Sequence, residues 1–202
     1  MEQDTKVIGI TGGIGCGKSS VAKYIQSKQY PLISTDVIAK ELLNNDAGIR
    51  QKIIAAFGEE AYKNGKYNEK YISSKVFASS DDAEKSLNLL NSIVHPSVIE
   101  KMGNEVEEYV NREVPFVFVE CALIYELDLE EGFQYVITVY ADEEKCIERV
   151  MQRNKISRAE VEKRIESQIS ADDKKNYADF VIDNNGTEED LKKATDLILS
   201  FL

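Results

Sequence analysis

Five short apolar runs punctuate the chain. They are Val7-Ile8-Gly9-Ile10, Tyr30-Pro31-Leu32-Ile33-Ser34, Pro115-Phe116-Val117-Phe118-Val119-Glu120, Tyr135-Val136-Ile137-Thr138-Val139-Tyr140 and Ala178-Asp179-Phe180-Val181-Ile182-Asp183. Their apolar residues are mostly contiguous rather than alternating with polar ones, the mark of strands covered on both faces. The stretches after them change period. Val21, Ala22 and Ile25 recur at helical spacing after the first run, residues 37–43 do so after the second, and Ile147, Val150 and Met151 after the fourth. A last helix opens at residues 187–190 and runs to Leu202. Strands that alternate with helices imply a parallel sheet with helices on both faces. The pattern therefore predicts an α/β fold, a three-layer α/β/α sandwich around a five-stranded parallel sheet.

Residues 44–113 break that rhythm. A polar break at 44–48 precedes a short helix at 49–57 and Gly58, and Lys63-Asn64-Gly65-Lys66 carries a tight-turn signal. Residues 69–77 read as helix, and 81–94 place Leu87, Leu90 and Val94 on one helical face. Pro96 then restarts or kinks a helix that runs to about Arg112, with His95 biased towards extended backbone by the proline that follows it. No parallel strand is visible here, so the stretch reads as a helical insertion of the kind that forms a second substrate's pocket. Residues 142–176 form a second departure, a helix–turn–helix carrying Arg149, Arg153, Arg158 and Arg164. Asp142 is placed to cap its first helix, and Ser157-Arg158-Ala159-Glu160 is a capping box opening the second, with Val161, Ile165 and Ile169 on one side. The expected organisation is one domain: a core of about 1–43, 114–141 and 177–202, the insertion at about 44–113, and a lid at about 142–176.

Composition narrows the classes. The 202 residues carry a formal net charge of -11, the opposite of the basic footprint that nucleic-acid binding leaves. No apolar run approaches the roughly 20 residues of a membrane span, and the first residues, Met1-Glu2-Gln3-Asp4, lack the basic and apolar parts of a signal peptide. Cys16, Cys121 and Cys146 include no C-x-x-C pair, so three reduced thiols in a cytoplasmic protein, with no zinc site, are expected. A monomer and a small homo-oligomer are both compatible with the sequence.

The densest chemistry lies between the first strand and its helix. Gly12-Gly13-Ile14-Gly15-Cys16-Gly17-Lys18-Ser19 completes the G-x-x-x-x-G-K-[ST] pattern in the context it requires. Its glycines let backbone N–H groups line a hollow for phosphate oxygens, and the following helix adds its own N-terminal donors. Lys18 has the reach for the β- and γ-phosphates, and the Ser19 hydroxyl suits Mg²⁺. The loop thus predicts a P-loop NTPase-type fold and a nucleoside triphosphate. Cys16 is either a small residue that fits the loop or a thiol activated by its setting. Asp36 stands at the carboxyl end of the second strand, the edge where open α/β sheets bind ligands, and equally suits a helix cap. Glu120 ends the clearest strand, either as an acid of the Mg²⁺ shell or as a solvated carboxylate, and Glu126 follows within a turn or two. His95, the single histidine, is either a packing residue or a substrate contact. The arginines are either lid groups for the triphosphate or the charged side of a solvated helical pair.

These segments together resemble the dephospho-CoA kinase family. Thr11-Gly12-Gly13-Ile14-Gly15-Cys16-Gly17-Lys18-Ser19 is similar to its phosphate loop, and Ser34-Thr35-Asp36-Val37-Ile38-Ala39-Lys40 to its D-A-D-x-I-A-R segment. Phe57-Gly58, His95-Pro96, Leu123-Ile124-Tyr125-Glu126, Arg164-Ile165-Glu166-Ser167-Gln168 and Val181-Ile182-Asp183-Asn184-Asn185-Gly186 follow in the family's order. The resemblance implies ATP-dependent phosphorylation of the ribose 3′-hydroxyl of dephospho-CoA, the last step of coenzyme A synthesis, with Mg²⁺ accompanying ATP. It implies Asp36 as the catalytic base, with Lys18, Arg149 and Arg153 stabilising the transferring phosphoryl. Gly13, Ile14, Gly15, Cys16, Gly17, Lys18, Ser19 and Ser20 would hold the phosphates, and Asn184, Asn185 and Gly186 would border the adenine. Ser19 and Glu120 would serve the metal; Asp36, His95, Glu126 and Arg164 would meet dephospho-CoA. Three residues depart from the family's pattern: Ser34 for aspartate, Cys16 for serine and Ala122 for proline. Two rivals stand beside this reading. Another small P-loop kinase would share the loop and the Arg-bearing lid. A GTP-driven switch would need N-K-x-D, whereas Asn154-Lys155-Ile156-Ser157 ends in serine.

Overall fold

The computed structural model describes residues 5–78 and 82–202. In chain order the elements are β1 (Lys6–Thr11), α1 (Lys18–Ser27), β2 (Leu32–Ser34), α2 (Thr35–Asn45), α3 (Ala47–Phe57), β3 (Tyr62–Lys63), β4 (Lys66–Tyr67), α4 (Glu69–Val76), α5 (Ala83–Val110), β5 (Phe116–Glu120), β6 (Tyr135–Tyr140), α6 (Glu143–Asn154), α7 (Arg158–Glu166), α8 (Ala171–Tyr177), β7 (Phe180–Asp183) and α9 (Glu188–Leu199). They divide into two compact units, one of Met1–Ser34 with Val106–Leu202 and one of Thr35–Glu105. The second unit begins with α2 itself, ahead of the polar break at 44–48.

The first unit is built on a five-stranded sheet in the order β2-β5-β1-β6-β7, parallel throughout. The five apolar runs form these five strands. Ile8, Ile10, Phe118, Ile137, Val139 and Ile182 from the strands close with Val21 and Ile25 of α1 and Leu191 and Ile198 of α9 into one buried cluster. Fully burying a side chain of this size is worth about 1.5–3 kcal/mol, so these contiguous runs are what fix the strands in the interior. A smaller cluster of Ile147, Val150 and Val161 ties α6 to α7. The register brings Ile10 opposite Glu120 and Glu120 opposite Ser34. The loop leaving β1, the carboxylate ending β5 and the end of β2 therefore emerge in one row.

The second unit is helical apart from the β3–β4 hairpin, two residues a side, which the sequence pattern did not mark as strands. Its turn has Asn64 and Gly65 at φ 52° and 78°, the paired positive φ values that match a hairpin's twist. Asp46 caps α3 by accepting from the Ile49 N–H at 2.7 Å. The Tyr62 hydroxyl donates to the Leu43 carbonyl and the Tyr71 hydroxyl to that of Phe57.

Four local expectations need correction. Of the restart or kink expected at Pro96, the restart does not occur: one helix runs through it, so His95 is helical rather than extended. Proline in a helix interior costs about 3 kcal/mol, but Val94, Val98 and Met102 recur every fourth residue on one buried stripe, and a break would dismantle that stripe. The start of this helix at Asp81 lies outside the described residues. α7 ends at Glu166, which leaves Ile169 outside it, because the Ile169 N–H is taken by the Glu126 carboxylate at 3.0 Å. Asp142 stands before α6 without a side-chain capping bond; its own N–H donates to Asn185 Oδ1 at 2.9 Å. The last helix ends at Leu199, with Ser200 its C-cap.

Candidate active site

The loop between β1 and α1 turns on glycines. Gly17 has φ 102° and stands directly before α1. A Cβ there would lie 2.1 Å from Asn184 Nδ2, so conformation and space both demand glycine. With no side chain at this position, no capping group closes the α1 N-terminus, and its donors stay open to an anion. The Lys18 ammonium lies across the loop, 2.9 and 3.0 Å from the Gly12 and Gly13 carbonyl oxygens. The Ile14 N–H donates to Gln168 Oε1 at 3.0 Å, so the segment after α7 reaches back to brace the loop.

Beside the loop, the Ser19 hydroxyl donates to Glu120 Oε1 at 2.8 Å, and the Ser34 hydroxyl donates to Glu120 Oε2 at 3.1 Å. Glu120 is buried, which removes the solvated-carboxylate alternative. The arrangement also explains how Ser34 is accommodated: an aspartate there would set a second carboxylate against Glu120, whereas serine offers a donor. Ser19 and Glu120 form a compact pair of hard oxygen donors, the type Mg²⁺ takes alongside phosphate oxygens and water.

The turn after β7 closes the far side of the loop. Asn184 Nδ2 donates to the Cys16 carbonyl at 2.8 Å, and Arg149 Nη2 donates to the Asn184 carbonyl at 3.0 Å. Asn185 accepts through its carbonyl from the Lys145 ammonium at 2.8 Å. Gly17, Ser20, Arg149, Asn184, Gly186 and Lys192 line a cavity of ≈640 Å³, ample for a planar base. Arg149 Nη1 is buried without a hydrogen-bond partner among the described residues.

The remaining predicted residues disperse. Arg153 is exposed and bonds its neighbour Asn154 at 3.0 Å. Arg158 pairs with Glu144 and Glu162, the solvated-pair alternative for that arginine. Arg164 is half-buried on α7. Glu126 Oε1 lies 2.6 Å from the ammonium of Lys174, a fully buried lysine that also donates to the Ala122 carbonyl at 2.7 Å. Asp36 and His95 belong to the second unit. Asp36 is exposed inside the first turn of α2, which begins at Thr35; His95 is half-buried, and burial pushes its imidazole below the usual value.

Sequence reasoning missed Lys174 and the roles of Gln168 and Cys146. Gln168 was within reach, since it belongs to the quoted Arg164-Ile165-Glu166-Ser167-Gln168 segment. Lys174 sits in Asp172-Asp173-Lys174-Lys175, where nothing local distinguishes the lysine that turns inward.

The dephospho-CoA kinase family model matches residues 6–190. A dephospho-CoA kinase of Oceanobacillus iheyensis is 36% identical over 196 residues, 96% of each chain. A crystal structure of a Thermus thermophilus protein superposes with a TM-score of 0.78 at 32% identity, covering 98% of each chain. Dephospho-CoA kinase from Campylobacter jejuni does so at 0.63 and 27%, covering 98% of this chain and 97% of its own. The matched residues run from the start of β1 into α9 and so include the phosphate loop, Asp36, Glu120, the arginine-bearing helices and the turn after β7; the chain belongs to the dephospho-CoA kinase family.

Proposed function

We propose that this chain transfers the γ-phosphoryl group of ATP to the ribose 3′-hydroxyl of dephospho-CoA, giving CoA and ADP. The observation that carries the reading is the row formed by Lys18 on the loop carbonyls and Ser19 and Ser34 on Glu120, within a chain of this family. Loop amides and the α1 N-terminus receive the phosphates, and Lys18 follows the γ-phosphoryl as charge develops on it. Ser19 and Glu120 would hold Mg²⁺, which would supply neutralising positive charge to the phosphates. Arg149 sets the Asn184 carbonyl beside the cavity that takes the adenine, and Asn185 and Gly186 complete that border. Arg153 adds charge when the 142–176 segment closes over the triphosphate.

Asp36 accepts the proton of the 3′-hydroxyl as the new oxygen–phosphorus bond forms and the bond to the ADP oxygen breaks. Support for this comes from its exposure and its place in the sequence two residues beyond Ser34. His95, Glu126 and Arg164 are assigned to dephospho-CoA; for Glu126 that role runs alongside its pairing with Lys174. The same reading places the protein in the cytoplasm, in keeping with three buried thiols.

The test is a coupled ADP-release assay with Mg-ATP and, separately, dephospho-CoA, adenosine, AMP and gluconate, with product masses measured. Release with dephospho-CoA alone, and a product heavier by one phosphoryl group, is the expected result. Release with a different acceptor refutes the acceptor assignment and the role given to Asp36.

A further inference from the structure

The Sγ atoms of Cys16, in the phosphate loop, and Cys146, on α6, lie 3.2 Å apart. Both residues are buried, yet both line one cavity of ≈270 Å³ together with Gly13, Ile14, Gln168 and Ser170. A peroxide-sized molecule has room there. The third thiol, Cys121, is not among the residues that line it.

We propose that Cys16 and Cys146 are a peroxide-reactive thiol pair whose disulfide locks the phosphate loop to α6 and closes it to nucleotide. The Cys16 thiolate attacks one oxygen of hydrogen peroxide or an alkyl hydroperoxide. The O–O bond breaks, leaving sulfenic acid on Cys16 and releasing hydroxide or alkoxide. The Cys146 sulfur then attacks the Cys16 sulfur, the S–S bond forms, and water departs carrying the sulfenic oxygen. The two thiol protons end on the two released oxygens, so two thiols and one peroxide become one disulfide and two molecules of water, or of water and alcohol.

The chemistry of the two sulfurs is suited to this order. Hydrogen bonding from Cys146, opposed by burial and aided by the Lys18 charge, brings the Cys16 thiol down to about 6. The same contact raises Cys146, keeping it protonated as the donor. The thiolate is the nucleophile that attacks peroxide.

The structure also says what the bond would move. A disulfide needs the sulfurs at ~2.05 Å, well inside the present separation. The loop already lies close against α6: a Cβ on Gly15 would lie 2.4 Å from the Cys146 carbonyl oxygen and 2.9 Å from Val150 Cγ2. α6 is held by Ile147 and Val150 in their buried cluster. The loop therefore does the moving, through Cys16, whose carbonyl is held by Asn184. Its N–H groups lose the arrangement that receives phosphate. The functional consequence rests on the nucleotide site proposed above; the thiol chemistry does not.

The full-length chain is treated with hydrogen peroxide or with diamide, alkylated and digested, while binding of a fluorescent ATP analogue is measured on the same samples. The expected result is a peptide linking Cys16 to Cys146, with loss of nucleotide binding, both reversed by a phosphine reductant. Cys146→Ser, with Cys146→Ala as the second variant, binds nucleotide as the parent does and keeps that binding in diamide. Oxygen adducts on Cys16 without the linked peptide overturn the pair. A linked peptide with undiminished binding overturns the locking of the loop. Absence of nucleotide binding in the fully reduced chain refutes the functional reading instead, while the linked peptide still decides the thiol chemistry.

Discussion

Lys174→Met removes one charge from the interior and keeps the side chain's length. Lys174 is fully buried, with its ammonium 2.6 Å from Glu126 Oε1 and 2.7 Å from the Ala122 carbonyl, and Glu126 is only 14% exposed. Two unit charges at that separation attract by about 6 kcal/mol at an effective dielectric of 20. Much of this offsets the desolvation of the pair, so the informative quantity is the cost of stranding the partner, about 3–5 kcal/mol. Against a total stability of about 5–15 kcal/mol, that is a large loss. At about 2–4 °C per kcal/mol for a chain of this size, the midpoint should fall by roughly 6–20 °C.

The assay is urea and thermal unfolding followed by far-UV circular dichroism, since the chain has no tryptophan. Adding Glu126→Gln to Lys174→Met should recover part of the loss, because the stranded group is then neutral, with a coupling of about 0.5–3 kcal/mol. Function should follow: Glu126 holds the Ile169 N–H, and the neighbouring Gln168 holds the Ile14 N–H, so KM for ATP should rise. A loss below about 1 kcal/mol, or a double variant no more stable than Lys174→Met alone, refutes the argument.

Three further perturbations separate the proposed roles. Asp36→Asn should leave ATP binding intact and lower turnover by about 10²–10⁴-fold; retained turnover in a single-turnover assay returns Asp36 to a structural part. Arg149→Ala should raise KM for ATP and lower kcat more than Arg153→Ala, because Arg149 holds the Asn184 carbonyl whereas the exposed Arg153 bonds its sequence neighbour Asn154; equal effects refute the ranking. Burial lowers His95 from 6.5, so the unfolded chain binds the proton more readily. Its contribution to stability is therefore full above pH 6.5 and is lost as pH falls through the lowered value. His95→Gln should flatten the pH dependence of urea midpoints across that range, and an unchanged slope removes His95 as its source.

The sheet was legible because its signals are local and mutually consistent. Runs such as Phe116-Val117-Phe118-Val119 have no polar face to leave in water, so they can only be interior strands. The phosphate loop was legible because the positive φ of Gly17 and its place before α1 are written into residue type and spacing. The capping box at Ser157 and Glu160 formed as its sequence specifies, since both partners lie within one turn. Local signals failed where distant atoms overruled them. Pro96 did not break α5, because burial of Val94, Val98 and Met102 outweighed one missing hydrogen bond. α7 stopped short of Ile169, because the Glu126 carboxylate offered its N–H a charged acceptor. Asp142 left its capping position unused, its N–H satisfied by Asn185.

The sequence by itself determined the parallel α/β sheet, the glycine-rich loop and the residue types suited to a triphosphate, because each depends on backbone conformation or burial over a few consecutive residues. The tertiary structure alone decided that Lys174 turns inward to Glu126, that Ser34 and Ser19 share Glu120, that Gln168 braces Ile14, and that Cys146 meets Cys16. Those partners are far apart along the chain. They meet only because β5 and β6 flank β1 and the helices that follow β6 fold back beside the loop, a neighbourhood that no local periodicity encodes.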